Sequence, residues 1–274
     1  MLEKRTGWSV YELSSRMGED MSSIELEFRG GLAEIVLNRP GRKNALRRED
    51  WHALRQAIDS VAASDARALL VRGAGGDFCA GFDLGDVRPE TTDAFAEIDQ
   101  RVNPALRALR DLPVPTIAAA EGVCVGGGLG IAAACDLLVT SDTARLGAPY
   151  AAIGFLCDAG LHVFLRDTLG YQRAAWLIFT GRLLTAPEAM AFGLSCAALP
   201  AEGFVEKARA LAQEVAAGPT SAFSFSKRIM RTAADPDAGL DAEALFQAQI
   251  FSGEDAAEGV EAFLGGRRPR FVGR

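Results

Sequence analysis

Two glycine-bearing turns are the segments of the chain best suited to chemistry. Residues 78–84 read Phe-Cys-Ala-Gly-Phe-Asp-Leu, and residues 121–130 read Glu-Gly-Val-Cys-Val-Gly-Gly-Gly-Leu-Gly. Each turn is predicted to follow a strand, and glycine allows a ligand to approach the backbone closely. A strand, a glycine run and then a helix leave peptide N–H groups free to bind a phosphate or to stabilise an oxyanion. Tight packing of a helix on a strand would explain the second run equally well.

The signatures of several common enzyme classes are missing from the sequence. Residues 128–133 match the dinucleotide pattern G-x-G-x-x-A, but they lie in mid-chain and no acidic residue ends a following strand at the usual distance. No P-loop, G-x-S-x-G elbow or H-E-x-x-H occurs, which argues against nucleotide hydrolases, esterases and zinc proteases. Five scattered cysteines without a CxxC pair, and only two histidines, predict neither a disulfide scaffold nor a metal site.

The elements that must position these turns are short strands that alternate with helices. Apolar and β-branched runs predict strands at 24–28, 32–37, 68–71, 116–120, 137–139 and 196–199. Helical spacing predicts helices at 48–63, at 95–112 with a break at Pro104, around 131–134, at 171–179 and at 186–192, and a largely helical chain from Glu202. This order predicts an α/β fold of stacked turns followed by a helical tail.

Composition limits the partners and the compartment. The 274 residues carry a net charge of -7, which argues against a nucleic-acid surface but is compatible with a small anionic ligand. Hydrophobic residues make up 49% and charged residues 24%, as in soluble globular proteins. The chain lacks a signal-peptide pattern, and Glu121 and Asp136 interrupt the apolar stretch after Val114. We therefore expect no membrane span and a cytoplasmic protein.

Six motifs, in their order and spacing, resemble the crotonase (enoyl-CoA hydratase/isomerase) superfamily from Ile24 to Phe271. They are Leu-Asn-Arg-Pro at 37–40 with Asn-Ala-Leu at 44–46, the turn at 78–84, Ala-Ala-Glu-Gly at 119–122 continuing through Gly128, Ala-Cys-Asp-Leu at 134–137, Thr-Gly-Arg at 180–182 with the segment 186–194, and Glu-Gly-Val-Glu-Ala-Phe at 258–263 with Arg-Arg-Pro at 267–269. The resemblance implies a crotonase-like spiral of ββα turns over 21–200 and a helical C-terminal subdomain over 201–274. Residues 1–20 are expected to form a loosely ordered N-terminal extension. A homotrimer or a dimer of trimers is also implied.

The resemblance further implies where an acyl-CoA substrate would bind. Its thioester would lie between two peptide N–H groups, which by position belong to Ala80 and Gly127, with Gly81, Gly126 and Gly128 beside them. Donors placed in this way would stabilise an enolate. No metal or redox cofactor is implied, since CoA arrives as part of the substrate.

The chain departs from the family pattern at two positions that decide the reaction. Family hydratases use two glutamates to activate water, and here those positions hold Gly130 and Tyr150. Asp158, within Gly-Phe-Leu-Cys-Asp-Ala-Gly at 154–160, stands where hydratases usually have glycine. It resembles the aspartate that serves as acid/base in the branch containing 1,2-epoxyphenylacetyl-CoA isomerase. We therefore predict an acyl-CoA isomerase with Asp158 as its acid/base.

Other interpretations of these residues stay open at this point. Asp158 could be the nucleophile of an acyl-CoA hydrolase or dehalogenase, or it could only cap a helix over 161–169. A hydratase could position water without the two glutamates, and the chain could also be a non-catalytic acyl-CoA-binding subunit. Tyr150 could bind substrate or fill the space of a glutamate, and His162 could assist the base or be structural. Lys227 resembles a family lysine near the CoA phosphates, with a solvated surface cation as the alternative.

Overall fold

Ten strands form two sheets in the computed structural model of this chain, which describes residues 9–10 and 23–274. The strands are β1 (Ser9–Val10), β2 (Ile24–Arg29), β3 (Leu32–Leu37), β4 (Ala68–Gly73), β5 (Thr116–Ala120), β6 (Val123–Val125), β7 (Leu137–Ser141), β8 (Arg145–Gly147), β9 (Leu183–Thr185) and β10 (Ala197–Leu199). The larger sheet has the order β1-β2-β3-β4-β5-β7-β10, and the smaller sheet has the order β6-β8-β9. The predicted extension over residues 1–20 lies outside the described residues, apart from β1, which pairs antiparallel with β2.

Eleven α-helices connect and follow the strands within the described part of the chain. They are α1 (Arg48–Ala62), α2 (Ala94–Glu97), α3 (Asn103–Asp111), α4 (Gly127–Ala134), α5 (Leu161–Leu169), α6 (Tyr171–Thr180), α7 (Ala186–Phe192), α8 (Phe204–Ala216), α9 (Thr220–Thr232), α10 (Pro236–Phe251) and α11 (Glu254–Leu264). A π-helical turn, Ile98–Val102, joins α2 to α3, and Pro104 lies in the first turn of α3. The break predicted at Pro104 is therefore a change of helix type, because proline is tolerated only where its missing N–H is not needed.

The chain moves repeatedly from the larger sheet to the smaller one. β5 lies in the larger sheet, β6 in the smaller sheet, and α4 follows; β7 and β8 repeat this step before α5 and α6. Neighbouring strands from β3 to β10 in the larger sheet are parallel. This arrangement confirms the predicted α/β spiral of ββα turns, and the helices after β10 confirm the predicted helical C-terminal region.

The larger sheet is buried on both faces. Alternate residues of β4 point to opposite sides, as in any strand: Leu69 and Val71 join the apolar cluster that includes α1, α3 and α4, while Ala68 and Leu70 pack with α8. Helix α8 therefore covers the sheet although it follows the domain boundary predicted at residue 200, and that division of the chain stays a prediction. Among the described helices, none is both long and apolar enough to cross a membrane.

Candidate functional site

The structure brings the two glycine turns into direct contact. Cys79 and Cys124 form a parallel β-bridge, in which the Val125 N–H donates to the Cys79 carbonyl at 3.0 Å. A Cβ added to Gly81, whose φ is +89°, would lie 3.0 Å from the Gly127 nitrogen. A Cβ added to Gly128 would lie 2.7 Å from the Cys79 side chain. Glycine is therefore required for packing here, and the substrate contacts predicted for Gly81, Gly126 and Gly128 stay predictions.

Helix α4 begins at Gly127, four residues before the predicted helical segment. The first N–H groups of a helix have no acceptor within it. Within the described residues, no hydrogen bond from the Gly127 N–H is found. A Cβ at Gly127 would lie 3.1 Å from the ring of Trp51, which is 1% exposed, so a side chain here would be crowded against this buried ring. The Gly127 N–H is therefore available to a ligand, as the prediction requires.

The N–H group of Ala80 is not available, and its predicted role as the other oxyanion donor is wrong. It donates to the Lys43 carbonyl at 2.9 Å. In the bridge between Leu46 and Phe82, the Leu46 N–H donates to the Gly81 carbonyl and the Asp83 N–H donates to the Leu46 carbonyl, each at 2.8 Å. Phe82 itself therefore directs its N–H away from Leu46.

Phe82 is the residue that the sequence analysis missed. Its N–H has no hydrogen-bond acceptor in the part of the chain that the structure describes, whereas the Gly81 N–H points to the Cys79 sulfur at 3.3 Å. The bridge to Leu46 that decides this lies 36 residues away along the chain. The turn itself offered no signal that separates Ala80 from Phe82.

The motif at 37–46 holds the first turn in place. Asn44, which is 1% exposed, donates from Nδ2 to the carbonyls of Ala74 at 2.9 Å and Asp77 at 2.7 Å, and its Oδ1 accepts from the Arg39 N–H at 2.8 Å. The Arg39 guanidinium pairs with Asp83 at 2.5 Å, and Asp83 also accepts from the Gly85 N–H. These buried polar groups are satisfied, so they fix the turn that carries Phe82.

Asp158 meets Tyr150 and does not cap a helix. The Tyr150 hydroxyl, in the 3-10 turn Pro149–Ile153, donates a hydrogen bond to Oδ1 of Asp158. Helix α5 is preceded by Gly160, with φ +74° and no side-chain cap. The interpretation of Asp158 as a capping residue is therefore wrong, because its carboxylate faces the phenol and not the first N–H groups of α5.

The environment of the pair increases the proton affinity of both partners. Burial raises the pKa of the Asp158 carboxyl, while the Tyr150 hydrogen bond and the charge of His162 act in the opposite direction. Burial and the negative charge of Asp158 raise the pKa of the Tyr150 hydroxyl. Tyr150 therefore stays a protonated donor, and Asp158 is a carboxylate more basic than usual, as a general base requires.

The pair lies against the second glycine turn. A Cβ added to Gly126 would lie 3.6 Å from the Tyr150 hydroxyl oxygen, and Gly126 directly precedes the free N–H of Gly127. The residue after Asp158 contacts the same helix: a Cβ at Gly130 would lie 2.6 Å from the Ala159 carbonyl oxygen and closer still to the Ala159 Cβ. Ala159 therefore occupies the space in which a side chain at position 130 would begin.

His162 and Lys227 do not join this arrangement by hydrogen bonds among the described residues. His162 is exposed on α5 and acts on Asp158 through charge. Lys227 is 7% exposed; its Nζ lies 2.9 Å from Asp136 and donates to the Val114 carbonyl at 3.2 Å. The interpretation of Lys227 as a solvated surface cation is wrong, and its contact with CoA phosphates stays a prediction. Burial lowers the pKa of Lys227, and the Asp136 charge opposes this.

Within residues 9–10 and 23–274, no group of three or more His, Cys, Asp or Glu side chains is placed to hold a metal ion. The prediction that no metal or redox cofactor takes part stays a prediction. What the described residues do offer is suited to proton transfer: two free backbone donors where the two turns meet, and a carboxylate of raised proton affinity that is joined to the second turn through Tyr150.

Comparison with known proteins agrees with this geometry. Residues 27–274 match the family model described as enoyl-CoA hydratase/isomerase. The chain is 32% identical over 251 residues to the 1,2-epoxyphenylacetyl-CoA isomerase of Escherichia coli (strain K12), covering 89% of this chain and 96% of that protein. It is 37% identical over 252 residues to the mitochondrial enoyl-CoA hydratase domain-containing protein 2 of Bos taurus, covering 89% and 85%. The crystal structure of an enoyl-CoA hydratase from Bacillus anthracis matches with a TM-score of 0.86 at 27% identity, over 92% of this chain and 100% of that chain.

Proposed function

Because this chain belongs to the enoyl-CoA hydratase/isomerase family, we propose that it isomerises an enoyl-CoA ester through an enolate, with Asp158 as the acid/base. The position of this carboxylate carries the proposal, since it is linked through Tyr150 to the turn that presents the Gly127 N–H. The similarity to a 1,2-epoxyphenylacetyl-CoA isomerase also supports isomerisation.

The thioester oxygen would accept hydrogen bonds from the N–H groups of Gly127 and Phe82. As the proton leaves the carbon next to the thioester, negative charge moves onto this oxygen. Preorganised donors of this kind each contribute about 3–4 kcal/mol to transition-state stabilisation. Phe82 takes the place of Ala80 in this proposal, because the Ala80 N–H is already bonded to Lys43.

Asp158 would move one proton between two carbons. Oδ2 accepts the proton from C2 of a 3-enoyl-CoA, the electron pair passes into a dienolate, and the same proton returns to C4 to give the 2-enoyl-CoA. No proton is gained or lost overall, so one carboxylate with increased proton affinity is sufficient. The apolar, partly buried setting that raises the pKa of Asp158 supplies that affinity.

Hydration is the second candidate, because relatives and solved neighbours are named enoyl-CoA hydratase. Hydration needs a water molecule held and activated opposite the double bond. A glutamate at position 130 would help to hold it, but Ala159 occupies that space. Asp158 would then be the only carboxylate available in the predicted site, and we expect slow hydration.

A matched assay of the wild type, Asp158→Asn and Asp167→Asn tests the proposal. Each protein is given a 3-enoyl-CoA, for the double-bond shift, and a short 2-enoyl-CoA, for hydration, with CoA-ester binding measured by calorimetry. Asp167 is exposed on α5 and, within the described part of the chain, pairs only with its neighbour Arg166, so Asp167→Asn controls for loss of charge on that helix.

We expect isomerisation by the wild type and by Asp167→Asn, and a loss of at least about a hundredfold in Asp158→Asn with binding kept. Hydration that is fast and unaffected by Asp158→Asn would contradict the mechanism. A trapped ester on Asp158 would instead favour the hydrolase or dehalogenase alternative. Tight binding without any turnover would favour a non-catalytic subunit.

We also propose a homotrimer, or a dimer of trimers, located in the cytoplasm. Helix α10 buries none of its residues within the chain, and the exposed side chains of this region include Leu240, Leu245, Phe251 and Phe263. Apolar surface of this kind is usual where subunits meet. Size-exclusion chromatography with multi-angle light scattering measures the molar mass of the assembly. A monomer at micromolar concentration would contradict the proposed trimer.

A further inference from the structure

We propose that Tyr150 is a positioning residue whose phenol holds Oδ1 of Asp158 and leaves Oδ2 for the substrate carbon, so that Tyr150 does not itself bind the acyl group. This inference rests on the proposed function, because it assigns a role to the partner of the proposed base. It differs from both alternatives given above for Tyr150, which were direct contact with the substrate and filling the space of a glutamate.

Tyr150 is held firmly by its own turn. Pro149 opens the 3-10 turn and fixes its first backbone angle, and Gly154 closes the turn with φ +72°. The Phe155 N–H donates to the Tyr150 carbonyl at 3.1 Å. The turn packs against α6 and against Gly181, where a Cβ would lie 3.5 Å from Pro149. A phenol on such a support can fix the direction of a hydrogen bond.

The segment that carries Asp158 is held from the other side. Ala159 has φ +53°, which is unfavourable for a residue with a side chain, and it is wedged against Gly130 of α4. The Leu161 N–H donates to the Asp158 carbonyl at 3.1 Å. With the main chain fixed at Ala159 and Oδ1 fixed by Tyr150, the carboxylate is restrained at both ends.

The two carboxylate oxygens therefore differ. Oδ1 accepts from Tyr150, whereas no other side chain of the residues that the structure describes donates to Oδ2, although the backbone N–H of Asp158 also acts on its own carboxylate. A base needs one unoccupied oxygen within reach of the proton that it removes. If the Tyr150 hydroxyl donated its hydrogen bond to the substrate instead, its single proton could no longer point to Oδ1 of Asp158. The carboxylate would then lose this restraint.

Few charged groups act on this carboxylate. The phenol of Tyr150 and the imidazole of His162 on α5 act on it directly, and the Cys157 thiol precedes it in the chain. Helix α4, which contacts Ala159, has no titratable side chain. Helix α6, which packs on the Tyr150 turn, contributes Tyr171 and Arg173, and the Arg173 guanidinium lies over the Phe192 ring. Tyr150 is therefore the one neutral side chain that donates to Asp158 in the described surroundings, beside the backbone N–H of Asp158 itself.

Removing this donor has an effect of known sign. A hydrogen bond to a carboxylate stabilises the charged form, so its loss raises the pKa of the carboxyl. The acid limb of the kcat/KM profile should therefore move to higher pH in Tyr150→Phe. Below the midpoint of that limb, kcat/KM should fall by about tenfold, the lower end of what a hydrogen bond to a charged group contributes.

The test measures the Asp158 carboxyl directly and without substrate. The full-length protein is prepared with 13C in the aspartate carboxyls, and Asp158→Asn identifies the signal. The signal is titrated in the wild type, Tyr150→Phe and Tyr171→Phe, where Tyr171 is an exposed tyrosine at the start of α6 and serves as the control. All titrations are repeated with His162→Gln, because His162 acts on the same carboxylate.

A second variant changes the donor in the opposite direction. Replacing Tyr150 site-specifically with 3-fluorotyrosine keeps the ring and makes the hydroxyl a stronger donor. The 13C midpoint of Asp158 should then move down in pH, while Tyr150→Phe moves it up and Tyr171→Phe leaves it unchanged. Opposite shifts from two such similar rings cannot come from altered packing.

The outcomes separate this inference from the proposed function. Midpoints that do not move in either Tyr150 variant overturn the inference, as does a Tyr150→Phe variant that raises KM for the 3-enoyl-CoA and leaves the pH profile unchanged. Opposite shifts in a protein that does not isomerise would keep the inference and reject the proposed function, since the titration needs no turnover.

Discussion

A single methyl group added at Gly130 is expected to disable the enzyme. In Gly130→Ala the new Cβ would lie 2.6 Å from the Ala159 carbonyl oxygen, and ordinary contact begins at 3.4 Å. Ala159 must therefore move by at least about 0.8 Å at this oxygen and further at its Cβ, which lies closer still, and Asp158 is its direct neighbour. A misplacement of about 1 Å at a reacting group can lower the rate about a hundredfold. We expect a loss of that size in isomerisation.

The effect on stability should be much smaller than the effect on rate. Alanine in place of glycine inside a helix stabilises by about 1 kcal/mol. Forcing an extra methyl into a packed contact costs about 1–3 kcal/mol. The sum is a destabilisation of about 0–2 kcal/mol, so the variant remains folded. Urea unfolding followed by circular dichroism measures this difference.

A double-mutant cycle identifies Ala159 as the cause. Ala159→Gly removes one of the two colliding groups and suits a backbone with φ +53°, so alone it should be tolerated. Added to Gly130→Ala it should restore part of the activity, because the carbonyl contact remains. Gly239→Ala is the control: it lies in α10, where the nearest atom to the added Cβ is 3.8 Å away. That variant should keep full activity.

Two results would refute this reasoning. Gly130→Ala with wild-type isomerisation would mean that the Asp158 segment is free to move without consequence. Equal losses in Gly130→Ala with and without Ala159→Gly would mean that the damage arises elsewhere, since contacting residues should show a coupling energy in the cycle.

Three further predictions concern the backbone donors and two buried ion pairs. Replacing the Phe82 N–H by an ester oxygen, with an α-hydroxy acid introduced at that position, should lower kcat by about 10²–10³. The same change at Ala80 should leave kcat unchanged. A loss at Ala80 but not at Phe82 would mean that Ala80 is the donor after all. Lys227→Met should lower the free energy of unfolding, measured in urea, by about 1–3 kcal/mol. The loss is smaller than for a carboxylate left without any cation, because Asp136 keeps its contact with Arg231. No change would mean that the Lys227–Asp136 pair does not stabilise the fold. Burial alone would raise the pKa of Glu34, but its Arg209 and Arg72 hydrogen bonds outweigh this and lower the pKa below the ordinary 4.5. The contribution of Glu34 to the free energy of unfolding is therefore present above pH 4.5 and is lost as the pH falls through its lower pKa in the folded state. Glu34→Gln should then make the thermal midpoint decline less steeply in acid. An unchanged decline would contradict this.

Local patterns in the sequence determined most of the secondary structure. The hairpin at 24–37 follows from two β-rich runs around Gly30 and Gly31, both of which have positive φ in the structure. Helix α1 follows from apolar residues at helical spacing, and the predicted helix 186–192 has the observed bounds of α7. These signals depend on neighbours in the chain, which is why one sequence is enough to find them.

The order and spacing of the motifs also determined the family, and the missing glutamates identified Asp158 as the carboxylate to examine. The sequence could name the two turns as a pair of backbone donors. It could not say which N–H of the first turn is free. That depends on hydrogen bonds with Lys43 and Leu46, which come from a segment 36 or more residues away.

The tertiary structure alone decided the details that set the chemistry. The sequence predicted Asp158 as a base but left a helix cap open as an alternative, until folding placed the Tyr150 hydroxyl against it. A solvated surface cation stayed open as one interpretation of Lys227 until α9 brought it to Asp136. Gly130 looked like a lost glutamate until Ala159 was found in the space beside it. In each case the deciding partner lies in another element, and hydrogen bonding, burial and steric exclusion act between groups that only the folded chain brings together.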